Sequence, residues 1–275
     1  MIIDGKIIAE TILKNLEQRL KVLSFRPLLC DVLVGTDSVA ESYVNIKRKT
    51  SERIGLRFEV VHLPESISQA DLLNQIAKIQ NKPELAGLIV QLPLPTGINK
   101  QTVLDAIKPE FDVDCLGRIN SQLFYGGKSN IAPPTAAAVR AILQSLPIDL
   151  SNKQILVIGQ GELVGKPVTF LLKQQGLKVL IADSSTANLA NLTKSADVII
   201  SGTGQPGLIT GQQIKPGATV IDAGTSESGG GIVGDVDFAS VEPVAAYVSP
   251  VPGGVGPVTV AKLLENVVAV AESKS

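Results

Sequence analysis

Residues 155–165 read Ile-Leu-Val-Ile-Gly-Gln-Gly-Glu-Leu-Val-Gly, and this order of residue types leaves the backbone few options. Ile155 to Ile158 have the pattern of a buried strand, and Gly159, Gly161 and Gly165 permit a tight turn. Leu163, Val164, Val168, Leu171 and Leu172 then recur at helical spacing. Strand, glycine-rich turn and helix in that order let the chain approach an anion closely and seat it on the free N–H groups of the helix start. A second apolar run, KVLIAD, ends in Asp183, 24 residues beyond Gly159 and near the roughly 20 expected for a carboxylate that binds a ribose. The unit reads as a dinucleotide site, and Asp183, which would repel a 2′-phosphate, favours NAD, with NADP the alternative. The spacing G-x-G-x-x-x-G departs from the commoner G-x-G-x-x-G, and the competing reading is a turn whose glycines only let a helix pack on a sheet.

Over 275 residues, hydrophobic types make up 44% and the mean hydropathy is +0.27, as expected of a chain that folds around a core. The length suits two domains of ordinary size or one large one. Lys and Arg number 25 against 26 Asp and Glu, so no overall field recruits nucleic acid or an anionic membrane, and a small molecule is the expected partner. Cys30 and Cys115 lie in no Cys-x-x-Cys or Cys/His cluster, which argues against a disulfide framework or a metal site. His62 is the single histidine; that removes most routes to Ser-His-Asp or Cys-His catalysis, and its place at the end of FEVVHL reads as structural or solvent-facing. No apolar run reaches the roughly 18–20 residues that span a bilayer and no secretion signal is evident, so the expected compartment is the cytoplasm.

Along the chain, helix and strand alternate. Helical spacing over 5–23 is followed by the strand PLLCDVLVG, a polar helix over about 38–53, the strand FEVVHL, a helix over 69–80 with Ser68 or Ser66 as cap, and the strand GLIVQL running into LPLP. Such alternation predicts a mainly parallel sheet flanked by helices. Residues 108–134 carry little period and are expected to be irregular. Thr135 is expected to cap an Ala-rich helix over 136–146. The strands ILVIG, KVLIAD, DVIISGT and TVIDAGT then give the doubly wound pattern, and a last apolar helix spans 259–272.

Several of these segments, in chain order, carry a family resemblance: IDGKIIAETI, SYVNIKRKTSERIGL, GLIVQLPLP, FDVDCLGRIN, VGKP, KPGATVIDAGT, GDVDF and above all SPVPGGVGPVT. Together, from near residue 2 to about residue 270, the chain resembles bifunctional methylenetetrahydrofolate dehydrogenase/methenyltetrahydrofolate cyclohydrolase. The resemblance implies an α/β protein of two domains. The N-terminal αβα folate-binding domain would comprise 1–136 plus 258–275, and the Rossmann-type doubly wound dinucleotide-binding domain 137–257. It further implies a cleft between them, a C-terminal helix that returns to the first domain, and usually a homodimer.

The same resemblance assigns the chemistry. Tyr43 and Lys47, four apart on one helix face, match the tyrosine that stacks on the folate and the catalytic lysine. Gln91 matches the glutamine that pairs with that lysine, and Asp114 the aspartate that holds the amino end of the pterin. Pro252, Gly253 and Gly254 would let backbone approach the ligands. The expected dinucleotide contacts are Gly159, Gln160, Gly161, Glu162, Val164, Gly165, Asp183 and Ser184, with Thr203 and Gly204 after the third strand. Taken without the resemblance, Lys47 in the run Lys47-Arg48-Lys49 reads as a solvated helix face, Gln91 as a turn cap, Asp114 as a loop-amide acceptor and Pro252 to Gly254 as an ordinary turn. The resemblance implies hydride transfer from 5,10-methylenetetrahydrofolate, then hydrolysis to 10-formyltetrahydrofolate, in which Lys47 acts as a base if its pKa is lowered and as a donor if it stays a cation.

Departures from the family pattern cluster in functional segments. Gln160-Gly161 stands where Arg-Ser is usual, and Asp183-Ser184 where His-Ser is usual; both changes remove partners for a 2′-phosphate. Ala40 replaces a serine, Cys115 a glycine, and PPTAAA (133–138) the usual Pro-Cys-Thr-Pro-x-Gly. These changes bear on the hydrolytic step, and leave two alternatives: a dehydrogenase whose cyclohydrolase step has decayed, and a folate- or dinucleotide-binding protein without turnover.

Overall fold

The computed structural model describes residues 1–36, 38–228 and 231–275. It divides into two compact units, one of residues 12–133 and 263–275, the other of residues 1–11 and 134–262. Helices α1 (Gly5–Lys21) and α10 (Val255–Glu272) each run through a division point.

The unit built on 12–133 contains β1 (Leu28–Val34), α2 (Ser38–Ile54), β2 (Arg57–Leu63), α3 (Gln69–Ile79), β3 (Leu85–Val90), α4 (Lys100–Asp105) and α5 (Arg118–Tyr125). Its three parallel strands lie in the order β2-β1-β3. Being central, β1 is buried at every position, whereas β2 alternates along an edge. Leu28, Cys30, Val32 and Val34 of β1 pack with Leu72, Ile76 and Ile79 of α3 and with Leu88 and Val90 of β3. Truncating one of these leucines to alanine would cost about 2–5 kcal/mol. Ser68 caps α3 by accepting from the Asp71 amide at 3.1 Å, as its sequence position predicts. The final residues of α10 belong to this unit: Asn266 donates to the Val113 and Ala132 carbonyls, each at 2.8 Å, and Glu272 pairs with Arg19.

The other unit contains α6 (Pro134–Ser145), β4 (Ile155–Ile158), α7 (Gly165–Gln174), β5 (Val179–Ala182), α8 (Leu189–Ser195), β6 (Val198–Ser201), β7 (Thr219–Asp222), the hairpin β8 (Ser226–Ser228) and β9 (Gly231–Val233), α9 (Phe238–Val241) and β10 (Tyr247–Val248). Five parallel strands lie in the order β10-β7-β6-β4-β5. The chain leaves β4 in one direction to β5 and returns to β6 on the other side, which puts the turn after β4 at the switch point where doubly wound sheets bind ligands.

Three local expectations differ from the structure. Residues 108–134 contain the short helix α5, whose sequence RINSQLFY buries only Asn120 and Phe124 and so shows little period. Pro134 lies inside α6, in the first turn where its missing N–H is harmless, and Thr135 therefore sits within the helix rather than capping it. Residues 1–11 group with the second unit: Ile3 N–H donates to Val248 O at 2.8 Å and Gly5 N–H to Gly253 O at 3.0 Å.

Candidate active site

In the unit built on 12–133, β1 and β3 are neighbours, and chemistry-bearing residues gather along them. Lys47 is only 7% exposed, which removes the solvated-face reading despite its neighbours Arg48 and Lys49. Its Nζ lies 2.6 Å from Oδ2 of Asp31, a fully buried residue in the middle of β1. The contact is ionic rather than a well-directed hydrogen bond. Gln91, immediately after β3, donates from Nε2 to Asp31 Oδ1 at 2.7 Å. Asp31 thus stands between the lysine and the glutamine that the resemblance pairs directly. Burial raises the Asp31 carboxyl above its ordinary range, opposed by the Lys47 charge and the two side-chain contacts. Breaking such a buried pair by removing one partner would cost about 3–5 kcal/mol, since an unpaired charge is left behind.

Tyr43 is half-buried on α2, one turn before Lys47, and Ala40 is buried one turn earlier still. Asp114 is half-buried in the loop between α4 and α5 and takes no hydrogen bond to its carboxyl among the described residues. Burial pushes its pKa up to about 6; Lys47 opposes the rise, and Asp112 and Asp31 add to it. The neighbouring Asp112 is the loop's own acceptor, bonding the amides of Leu116 and Gly117 at 3.2 and 2.9 Å, which leaves Asp114 available to a ligand. Cys115 follows at φ 59°, in the left-handed region. His62 bonds the Gly35 carbonyl at 2.6 Å, a structural contact.

In the second unit the glycine-rich turn has distinct reasons for its glycines. Gly159 sits at φ 88°, and a Cβ on Gly165 would lie 1.8 Å from the Gly159 carbonyl oxygen, so helix α7 meets the end of β4 without room for a side chain. A Cβ on Gly161 would meet no atom within 4 Å, so the space beside this glycine is open. Glu162 is exposed, Val164 is the residue before α7, and Gln160 folds back so that Nε2 donates to Gly159 O at 2.8 Å and Thr169 Oγ1 at 3.4 Å. At the end of β5, Oδ1 of Asp183 accepts from Ser185 N–H at 2.9 Å and Ser185 Oγ at 2.6 Å, and these bonds hold its carboxyl below the usual range. Oδ2 takes no such bond among the described residues and is exposed with Ser184. These features fit a dinucleotide.

Thr203 and Gly204, just past β6, are placed by Asp235, which accepts from Ser201 Oγ and Thr203 N–H at 2.7 Å each and from Gln205 N–H at 3.0 Å. Asp222, at the end of β7, accepts from the amides of Gly224, Asp235 and Val236, and burial pushes its pKa up to about 6. Pro252 and Gly253 lie in a turn closed by Gly254 N–H donating to Pro250 O at 2.8 Å; a Cβ on Gly254 would crowd that carbonyl at 2.6 Å. Asp31, Asp222 and Asp235 were not singled out by sequence reasoning. The available signal was a carboxylate inside or ending an apolar strand, in LLCDVLV and TVID.

Comparison with known proteins identifies the family. Residues 3–114 match the tetrahydrofolate dehydrogenase/cyclohydrolase catalytic domain, and residues 133–275 match the NAD(P)-binding domain of the same family. The chain is similar to the bifunctional protein FolD of Staphylococcus aureus strain Newman, 40% identical over 269 residues, 96% of this chain and 94% of the relative. Among solved structures it is similar to the Campylobacter jejuni bifunctional FolD, with TM-score 0.95, 35% identity, and 100% and 99% of the two chains covered. A Trypanosoma brucei FolD solved with NADP and inhibitor gives TM-score 0.94 and 36% identity over 100% and 98%. With residues 3–114 and 133–275 both matched and a relative 40% identical over 96% of the chain, the chain belongs to the tetrahydrofolate dehydrogenase/cyclohydrolase family.

Proposed function

We propose that this protein oxidises 5,10-methylenetetrahydrofolate to the 5,10-methenyl form with NAD as the preferred acceptor, and hydrolyses the product to 10-formyltetrahydrofolate. The observation that carries the reading is Lys47, buried against Asp31 and Gln91, while among the described residues no hydrogen bond reaches the carboxyl of Asp114 nearby. The 2-amino-pyrimidinone edge of a pterin presents two parallel donors to such a carboxylate. The half-buried Tyr43 ring offers a face for the folate rings.

The bound dinucleotide would supply the hydride acceptor, held by the turn 159–165, with Asp183 Oδ2 on its adenosine ribose and Thr203 and Gly204 beside it. The methylene carbon lies between two nitrogens whose lone pairs stabilise the resulting cation, so oxidation asks the protein for orientation rather than a strong base. Hydrolysis needs more: water adds to the methenyl carbon, and the tetrahedral adduct must open with a proton delivered to the departing nitrogen. Lys47 would handle that proton. Pro252 to Gly254 would line the ligands with backbone.

We also assign the protein to the cytoplasm and to a homodimer. Apolar side chains half-exposed on the edge strands, Val60 on β2 and Leu180 and Ile181 on β5, suit a second copy. Among the described residues no helix is long and apolar enough to cross a membrane.

A spectrophotometric assay that follows NADH and methenyl-folate separately, on the wild type and Lys47→Met, tests the function. NADH formation with methenyl-folate consumption above the spontaneous rate supports it. Accumulation of methenyl-folate at the spontaneous rate would leave a dehydrogenase only, and no reduced dinucleotide would leave a binding protein.

A further inference from the structure

We propose that Asp31 is a positioning residue of the hydrolytic step: it holds Lys47 as an ammonium, so that the lysine acts as a proton donor and not as the base that activates water. The assignment rests on the dehydrogenase/cyclohydrolase reading above and deepens it.

Three observations lead to it. Asp31 is a fully buried carboxylate in a strand whose other positions are apolar or cysteine, and it faces Lys47 at 2.6 Å. Gln91 fixes its other oxygen at 2.7 Å, so the carboxylate cannot swing away from the ammonium. An anion this close in a buried setting strongly favours the charged form of an amine. A lysine held as a cation has no lone pair with which to take a proton from water.

The pair also suits the charge of the substrate. A methenyl-folate is a cation at its reacting carbon, and an isolated buried ammonium would repel it. With Asp31 in contact, Lys47 and its partner are neutral together.

The proton balance follows. Water adds to the methenyl carbon, the C=N π pair moves onto nitrogen, and one proton leaves to bulk water. As the adduct opens, the C–N pair passes to the departing nitrogen, which takes a proton from the Lys47 ammonium. The hydroxyl proton then returns to the Lys47 amine as the formyl C=O forms, and the ammonium beside Asp31 is restored.

The groups that act on this pair are few. From α2 it is Lys47 itself, from the end of β3 it is Gln91, and from the loop after α4 it is Asp114, which senses both Lys47 and Asp31. On β2, Arg57 and Glu59, with Lys82 beyond α3, act on the adjacent Cys30.

The test is the pH dependence of cyclohydrolase kcat between about pH 6 and about pH 10, spontaneous hydrolysis subtracted, for the wild type, Asp31→Asn and Asp31→Val. The wild-type rate is expected to stay level across the range. In the variants an alkaline fall should enter the range, because the amine has lost its anionic partner. A purely structural role would lower the rate without bringing in that fall. Folded variants whose rate stays level would overturn the proposal. So would a wild-type rate that climbs with pH through the range, the mark of a free amine acting as base; that measurement decides the matter should neither variant fold by circular dichroism. A wild type that consumes no methenyl-folate at any pH would instead withdraw the hydrolytic reading, and the role of Asp31 with it.

Discussion

Gly165 and Gly159 touch backbone to backbone: a Cβ at Gly165 would stand 1.8 Å from the Gly159 carbonyl oxygen, whereas one at Gly161 would meet nothing. The two positions are therefore separable by experiment. Gly165→Ala is expected to destabilise the protein by about 1–3 kcal/mol or more, since neither backbone can yield without moving α7 off β4. Gly161→Ala is expected to leave stability within roughly 0.5 kcal/mol while raising the KM for the dinucleotide. Thermal unfolding and cofactor KM check both; a Gly161→Ala enzyme with unchanged KM would show that the pyrophosphate does not use this space.

Cofactor choice is expected to depend on Asp183. Its Oδ1 is committed to the turn through Ser185, and Oδ2 is free of protein donors among the described residues. Asp183→Asn keeps an acceptor for the turn and removes the charge; Asp183→Ser removes both. The ratio of kcat/KM for NAD over NADP should fall on the order of 10-fold in each. A wild type that prefers NADP would refute the role of Asp183.

Which parts of this molecule were legible in the sequence follows from where the physics is local. The turn 159–165, the cap Ser68 and the strand-helix alternation depend on neighbours within a few residues, and they lie where their spacing placed them. The position of Asp31 was visible as a carboxylate in LLCDVLV, yet its meaning was not, because the Lys47 and Gln91 that explain it come from two other elements. For Gln160, sequence alone did not show that its side chain also reaches the Gly159 carbonyl and Thr169, one helix turn into α7. Helix α5 went unseen because most of its side chains are exposed or half-buried, and apolar period is the signal a surface helix lacks.

Cys115 stands at φ 59° where the family pattern has glycine. A left-handed conformation costs a residue with a Cβ roughly 1–2 kcal/mol, part of which glycine returns through its freer unfolded chain. Comparing Cys115→Gly with Cys115→Ala removes the thiol in both and the strain in one only. Cys115→Gly is expected to be the more stable of the two by roughly 0.5–1 kcal/mol in urea unfolding. The reverse order would mean that the loop relaxes around alanine.

Asp114 gives substrate binding a pH dependence whose sign is set by burial. Burial pushes its pKa up to about 6 in the folded protein, well above the ordinary carboxylate range, so protonation stabilises the free fold: that contribution is complete below the unfolded pKa and is lost as pH rises through about 6. Binding runs the other way, because only the carboxylate accepts two hydrogen bonds from a pterin edge. The KM for methylenetetrahydrofolate should therefore rise as pH falls below about 6, with kcat less affected. Asp114→Asn should raise KM roughly 10- to 100-fold at neutral pH, the equivalent of about 1.5–3 kcal/mol for a charged hydrogen bond, and should remove the acid rise. Steady-state kinetics across this range check it. An Asp114→Asn enzyme that keeps the acid rise in KM would assign that titration to another group and take the pterin contact away from Asp114.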